Sequence, residues 1–490
     1  MAVFVCGVPG FWRPRRNTAK EAMIQMSSAV LEIFRPLFNP GSIAVVGATD
    51  NPFKLGFHSL AAVTSAGFRG EVYPVNPKAG ESIQGLRAYR SITELPRGVD
   101  LFVYAIPERQ VVPSVREAVE MGGKAGVIFA GGFRETGPEG GRLQEELISI
   151  ADAGGMKLIG PNCIGIVNKQ AGLNATFASP LAWFPQGDVS VVSQSGGMGN
   201  SILNEIMDEQ VGLAKFVSIG NRANVEFADM VEYLAEDPDT GVICLFIEGL
   251  DDGAAFLEKA RQASRSKPIL VYTRGYTESS SRAALSHTGS VASSEVIYEG
   301  AFRQAGLLQV RSSSEMAAAA KAISMGGELA GPGVFISTHS AGPVVAICDI
   351  CERGGLRFPP LKPEIAAAIA EFVPEHAVAA NPLDMFAFAW TDASLYLRAT
   401  DLALAQDDIH CAVAVFVTGG GAGPAFPARD YAEIGRRHGK PVFICLITPC
   451  ALVQEIADAQ ADGAIALSSP EKMGQVLVDL YRLSGINAGG

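Results

Sequence analysis

The stretch GDVSVVSQSGGMGNSILNEI, Gly187 to Ile206, runs from a β-branched segment through a loop of serine and glycine into an amphipathic segment of helical length. A strand that hands over to a helix through small residues is the repeating unit of an open parallel sheet. The same grammar recurs on both sides. Upstream, short apolar runs fall at Ile43 to Val46, Glu71 to Pro74, Leu101 to Ala105, Gly126 to Ala130 and Met156 to Ile159, separated by helix-length segments. Continuous apolar runs of this kind mark strands covered on both faces. Downstream, AKFVSIGNRANVEFADM, GVICLFIEG and KPILVYTRG continue the second series, and GPGVFISTHSAGP, HCAVAVFVTGG, KPVFICLITP and DGAIALSS form a third. The expectation is an α/β chain of three consecutive parallel-sheet domains. An N-terminal extension over 1–34, expected to be poorly ordered, precedes a doubly wound domain over 35–168 and two further α/β domains over 169–325 and 326–490.

Size and composition agree with several cores. A chain of 490 residues exceeds what one core serves, and 48% hydrophobic with 18% charged residues is a globular composition. The net charge of -12, with no Lys/Arg-rich stripe, argues against nucleic acid as a partner, because binding a phosphate backbone needs clustered cations. No uninterrupted apolar run reaches the ~18 residues of a bilayer-crossing helix, so no membrane partner is expected. The eight cysteines are scattered through strand-like and helix-like segments, as with Cys244 in GVICLFIEG and Cys445 in PVFICLI, and read as reduced core residues of a cytoplasmic protein. The pair in CDIC, Cys348 and Cys351, lies in a helix-like segment with no second ligand pair nearby, so no metal is expected. The opening MAVFVCGVPGFWRPRRNTAKEAMIQ has no periodicity and no apolar stretch long enough for a secretory signal, and Met23 or Met26 is an alternative start.

Ligands of open parallel sheets gather beyond the carboxyl ends of the strands, in the loops and at helix N-termini. The first such loop, VGATDNPFKLGFHSL, has Gly47 at the turn and Gly56 near the next helix, and departs from the G-x-G-x-x-G spacing of dinucleotide sites. Lys54 and free N–H groups there suit a phosphorylated ligand. Val75 to Lys78, Ala105 to Glu108 and Gly160 to Gly165 occupy equivalent places, and proline beside small residues lets a flat adenine or an extended pantetheine arm lie against backbone. Each also reads as an ordinary turn. In the second domain, Ser193 with Ser195 to Gly197 aims several N–H groups at an anion such as phosphate, with a plain glycine turn as the alternative.

The stretch RAALSHTGSVASSEVIYEGAF, Arg282 to Phe302, sets His287 among small residues, ahead of a helix that Ser293 or Ser294 would cap. A lone loop histidine is usually inert. A neutral imidazole is nonetheless a competent nucleophile toward phosphoryl groups near pH 7, given a carboxylate to fix its tautomer and an anion site nearby. Glu248, at the end of VICLFIEG, is a candidate for the first, and the Ser193 to Gly197 loop for the second.

From about Pro36 to Gly165, SIAVVGAT, VYPVNPK and GPNCIGIVN resemble the CoA-binding domain of the NDP-forming acyl-CoA synthetases, the family of succinyl-CoA synthetase and ADP-forming acetyl-CoA synthetase. SQSGGMG, GNRANVEFADMVEYL, FIEGLDDG and RAALSHTGS look like its second domain, and NPLDM and SSPEKMGQVLVDLYR like its third. The resemblance implies a Rossmann-like CoA-binding domain followed by two flavodoxin-like domains. It implies that a small carboxylic acid, CoA and a nucleoside triphosphate give acyl-CoA, NDP and phosphate through an acyl phosphate, with a histidine carrying phosphate between subsites. By motif position that histidine is His287 and its orienting acid Glu248. The implied phosphate-binding set is Ser193, Ser195, Gly196, Gly197, Ser286, Thr288 and Gly289. The implied CoA set is Gly47, Ala48, Thr49, Asn51, Lys54, Gly56, Val75, Asn76, Pro77, Lys78, Ala105, Ile106, Pro107 and Asn162.

Two places depart from the family. Thr273 and Tyr276 stand where it usually has a lysine and an arginine, with Arg274 as a replacement charge. NPLDMFAFAW has aromatics where small residues are common, which fits a bulkier acid or altered packing. The family's ATP-grasp domain has no counterpart here, so the chain resembles an alpha subunit. The expected partner is a separate ATP-grasp beta subunit holding ATP or GTP with Mg2+, the pair duplicated as a heterotetramer. The alternatives are a non-catalytic CoA-binding regulator of the same fold and a nucleotide-independent CoA acyltransferase.

Overall fold

Ile43 and Val45 join one buried cluster and Ala44 and Val46 another, so the first strand is covered on both faces. That burial is why its sequence is an unbroken apolar run. The computed structural model describes residues 29–277, 279, 295–418, 425–448 and 453–488. These fall into two units, one ending at Met316 and one beginning at Ala317.

In the first unit, β1 (Ser42–Val46), β2 (Glu71–Val75), β3 (Ser82–Ile83), β4 (Leu86–Arg87), β5 (Leu101–Tyr104), β6 (Ala125–Ile128) and β7 (Lys157–Ile159) belong to the first domain. Its sheet has the order β2-β1-β5-β6-β7 with every neighbour parallel, and β3 and β4 pair as a separate hairpin. β8 (Gly165–Asn168), β9 (Leu173–Thr176), β10 (Gln186–Ser193), β11 (Leu213–Ser218), β12 (Val242–Ile247), β13 (Ile269–Thr273) and β14 (Leu308–Val310) form the second sheet, ordered β14-β13-β12-β10-β11-β8-β9.

This corrects the expectation of a purely parallel second sheet. β8 runs antiparallel to β11, and β9 antiparallel to β8. Residues 165–168, read from sequence as the end of the first domain, thus hydrogen-bond into the second sheet. The pair covers the β11 edge, and Leu173 and Ala175 share a core with Leu60 and Val63 of the first domain's helix Leu55–Ser65. One apolar cluster therefore runs through both domains, which sit as one unit.

A second correction concerns the extension. Residues 29–34, expected to be poorly ordered, begin the helix Ala29–Phe38. Phe34 and Phe38 pack on Tyr233, with ring centroids 5.6 and 4.5 Å apart. Burying Phe34, Leu37 and Phe38 contributes roughly 1.5–3 kcal/mol each, enough to hold the helix against the second domain.

The second unit contains β15 (Val334–Thr338), β16 (Leu383–Asp384), β17 (Cys411–Val417), β18 (Val442–Ile447) and β19 (Ile465–Leu467), all parallel in the order β16-β15-β17-β18-β19. Setting aside the β3–β4 hairpin and the added β8 and β9, all three sheets share the order 2-1-3-4-5. In that order the crevice lies between strands 1 and 3, where the connections leave in opposite directions. In the first unit these crevices open between β1 and β5 and between β10 and β12. Among the described residues no helix is long and apolar enough to cross a membrane.

Candidate functional site

At the first crevice the expected CoA loops converge. Gly47 follows β1 with φ +92°, and a side chain there would clash with the Ala105 carbonyl and with Ile106. Its N–H donates to the Val75 carbonyl at 2.8 Å, and the Ala105 N–H to that of Val46 at 2.9 Å. Asn76 donates from Nδ2 to the Ala48 carbonyl at 2.7 Å, and its Oδ1 accepts from the Lys78 N–H at 2.9 Å. The Thr49 hydroxyl accepts from the Asn51 N–H and Asn51 Oδ1 from the Phe53 N–H, which folds the loop into a tight turn. Gly56 lies against the Gly47 carbonyl, so helix Leu55–Ser65 starts on that turn. Lys54, Pro77, Lys78 and Pro107 are exposed around these loops. Gln84, which sequence reasoning missed, closes the group: its Nε2 donates to the Thr49 and Phe57 carbonyls at 3.3 and 3.0 Å.

At the second crevice, Ser195 caps the helix Gly196–Asp208, its hydroxyl accepting from the Met198 N–H at 3.4 Å and its carbonyl from the Gly199 N–H at 2.9 Å. The N–H groups of Gly196 and Gly197 are the remaining donors of the first turn, where the helix dipole favours an anion. Ser193 is buried and donates its hydroxyl to the Ser195 carbonyl at 2.6 Å, so it shapes this loop from below. Glu248 follows β12 and is half-buried. Gln194, also missed, ties the two loops: its Oε1 accepts from the N–H groups of Glu248 and Gly249, at 3.1 and 3.2 Å.

Between the two domains lies a cavity of about 360 Å³. The first domain contributes Asn162 and Cys163, and the second Ser195, Gly196, Gly197 and Asn200. Asn162, at φ +59°, brings its Nδ2 to 3.4 Å from Asn221 Oδ1. Asn221 in turn donates to Glu135 and Gln144 of the first domain at 2.5 and 3.2 Å. Burial pushes the Cys163 thiol up to about 12 despite hydrogen bonds with the backbone of Gly165 and Ile128, which favours its protonated form where it lines the cavity. Beside the cavity, Asp251 accepts from Arg134 Nη1 and Arg222 Nη2, both at 2.8 Å, joining the two domains near Glu248.

His287, Ser286, Thr288 and Gly289 lie outside the described residues, as does the expected pairing of His287 with Glu248. Before that segment, the Thr273 and Tyr276 hydroxyls hydrogen-bond to each other, and Gln309 Nε2 donates to both at 3.3 and 3.4 Å. Arg274 stacks over the Tyr272 ring at 4.7 Å. Cys348 and Cys351 sit on the helix Ala341–Arg353, and among the described residues no three His, Cys, Asp or Glu side chains gather as metal ligands.

Residues 41–169 match the model of a CoA binding domain, and residues 186–323 that of a succinyl-CoA ligase like flavodoxin domain. The chain is 40% identical over 410 residues to acetate–CoA ligase (ADP-forming) II subunit alpha of Pyrococcus furiosus, covering 83% of this chain and 88% of that one. Its likeness to the I subunit alpha of the same organism is 34% over 455 residues, 91% and 97% of the two chains. Among solved structures, the dinucleotide forming acetyl-coenzyme A synthetase 1 of Ca. Korarchaeum cryptofilum, in complex with phosphate and ADP, superposes with a TM-score of 0.85 at 32% identity, covering 93% of this chain and 97% of that one.

Proposed function

The chain belongs to the family of ADP-forming acyl-CoA synthetase alpha subunits, and we propose that with a separate beta subunit it converts a carboxylate, CoA and ATP into acyl-CoA, ADP and phosphate. A carboxylate is a poor acyl donor because oxide does not leave, whereas phosphate does. His287 takes the terminal phosphoryl group from ATP, releasing ADP, and passes it to the carboxylate, forming an acyl phosphate and freeing the imidazole. The CoA thiol then attacks the acyl carbon, the C–O bond to phosphate breaks, and phosphate departs as the thiol proton is lost.

The observation that carries this reading is the Gln194 link. It holds the helix start at Ser195 to Gly197 beside Glu248, on the cavity that the Asn162 loop of the first domain also lines. In this reading the Gly196 and Gly197 N–H groups neutralise the transferred phosphoryl group, and Glu248 orients the imidazole. CoA lies across the loops at Gly47, Asn76 and Ala105, with Lys54 and Lys78 near its phosphates, and its remote nucleotide half helps to hold the thiol in line. The nucleotide and Mg2+ sit on an ATP-grasp beta subunit, and the pair duplicates as a heterotetramer. The relatives named as alpha subunits support a separate partner.

The test is reconstitution. The chain mixed with its ATP-grasp partner, Mg–ATP, CoA and a panel of acids is expected to form thioester and ADP in equal amounts. CoA binding without thioester from any acid would favour a regulatory protein instead.

A further inference from the structure

Thr273 and Tyr276, two positions singled out in the sequence, meet at the end of β13. Thr273 closes that strand and is buried, the chain turns at Gly275 (φ +104°), and Tyr276 comes back beside it. Val271 pairs with Gln309 of the edge strand β14, so Thr273, two residues on, shares a face with Gln309. Gln309 Nε2 directs its two hydrogens to the Thr273 and Tyr276 hydroxyls, at 3.3 and 3.4 Å, and those hydroxyls bond to each other. Burial holds the Tyr276 hydroxyl above the ordinary tyrosine range, so it keeps its proton at neutral pH. The trio is therefore uncharged, while the Arg274 guanidinium next to it lies over the Tyr272 ring.

The Tyr276 ring extends the tie to a third element. Its centroid is 6.3 Å from that of Tyr298, and Tyr298 is 5.3 Å from Phe302, both within the range of attractive ring contacts. Tyr298 and Phe302 lie one turn apart on the helix Glu295–Gln304, and Phe302 is buried against Phe256 at 6.4 Å. One side chain thus joins the end of β13, the edge strand β14 and this helix. In the sequence His287 stands midway between the two tyrosines, 11 residues from each. The chain can carry its imidazole no farther than about 40 Å from either ring.

We propose that Tyr276 is a positioning residue for His287: through its hydroxyl to Thr273 and Gln309 and its ring to Tyr298, it holds together the two ends of the stretch that bears the imidazole. Ends held at one place raise the effective concentration of a group between them, and releasing one end lets that group sample a larger volume in more orientations. This rests on the phosphoryl-transfer reading for its chemistry, but the tie itself can be measured without any phosphoryl donor.

The experiment compares Tyr276→Phe, Thr273→Val and Tyr276→Leu with wild type. The first two keep the side chain's shape and remove one hydroxyl each, and the third removes the ring as well. With the partner subunit, Mg–ATP, CoA and an accepted acid, kcat and the rate of His287 labelling should fall roughly fivefold in the first two, the scale of one neutral hydrogen bond. In Tyr276→Leu both should fall about tenfold or more, and KM for CoA should stay unchanged in all three. In the isolated chain, tryptic cleavage after Arg282, which lies between Tyr276 and His287 in the sequence, should quicken in the same order, because cutting needs a locally open chain. Should Tyr276→Leu fail to fold, Tyr276→Phe and Thr273→Val decide the matter. Labelling at the wild-type rate in these variants, whether or not cleavage quickens, would overturn the proposal, as would a rise in KM for CoA in place of the fall in kcat. Faster cleavage of the variants, in a chain whose His287 is never labelled, would sink the phosphoryl-transfer reading and keep the tie.

Discussion

Gln194 Oε1 accepts the backbone N–H of Glu248 at 3.1 Å, with the Gly249 N–H at 3.2 Å, while the Gln194 N–H itself donates to the Phe246 carbonyl at 3.1 Å. One amide thereby fixes the carboxylate-bearing loop to the residue before the Ser195 cap. Gln194→Ala leaves two backbone donors without an acceptor, at about 1 kcal/mol each. The expected result is a thermal midpoint lower by several degrees, and phosphoryl transfer slowed about tenfold or more with CoA affinity retained. Differential scanning fluorimetry and a phosphorylation time course check both.

Asp251 links pH to the contact between the first two domains. Burial pushes its carboxyl up, but the Arg134 hydrogen bond and the charges of Arg222 and Arg134 outweigh that and hold it below the usual carboxylate range. A folded-state value below the unfolded one, which is about 3.9, means the unfolded chain takes up the proton first as pH falls. The stabilisation is complete above about pH 4 to 5 and disappears as pH drops through the lower folded value. Asp251→Asn should therefore lie below wild type in thermal midpoint at neutral pH and converge with it in acid. A gap that widens in acid would contradict this sign.

Gly56→Ala tests the first crevice. A Cβ at that position would clash with the Gly47 carbonyl, so the start of helix Leu55–Ser65 must move off the turn. CoA should bind about tenfold or more weaker, while the second unit, from Ala317 onward, unfolds at its usual temperature. Titration of CoA against wild type and variant gives the answer.

Lys215 is a structural counterpart without a part in the chemistry. It is 1% exposed and holds Asp237 at 2.7 Å and Asp239 at 3.4 Å. Lys215→Met leaves Asp237 buried without its cation and should destabilise by about 3–5 kcal/mol. The double variant Lys215→Met with Asp237→Leu should recover much of that in urea unfolding.

The parallel strands were legible because burial on both faces leaves unbroken apolar runs, as in Ile43 to Val46 and Val242 to Ile247. β8 and β9 were not, because their buried positions include polar residues. Asn168, Asn174 and Thr176 are at most 1% exposed, and they bond to Phe38, Ala178 and one another, so neither periodicity nor apolarity marks the strands. The glycine and serine turns at Gly47 and Ser195 to Gly197 announced themselves by composition and position. Gln194 and the Arg134–Asp251–Arg222 clamp did not, since each acts through partners distant in sequence: Gln194 and Glu248 are 54 residues apart, and Arg134 and Asp251 are 117.

The most direct measurement concerns His287. The purified chain is incubated with labelled acyl phosphate, or with γ-labelled ATP and its partner subunit, and the label is then tested for acid lability and alkali stability. Acid-labile, alkali-stable label on wild type, absent from His287→Ala while that variant still binds CoA, is the predicted result. Equal label on His287→Ala, or no label on a wild-type chain that forms acyl-CoA, would contradict phosphoryl transfer through this imidazole.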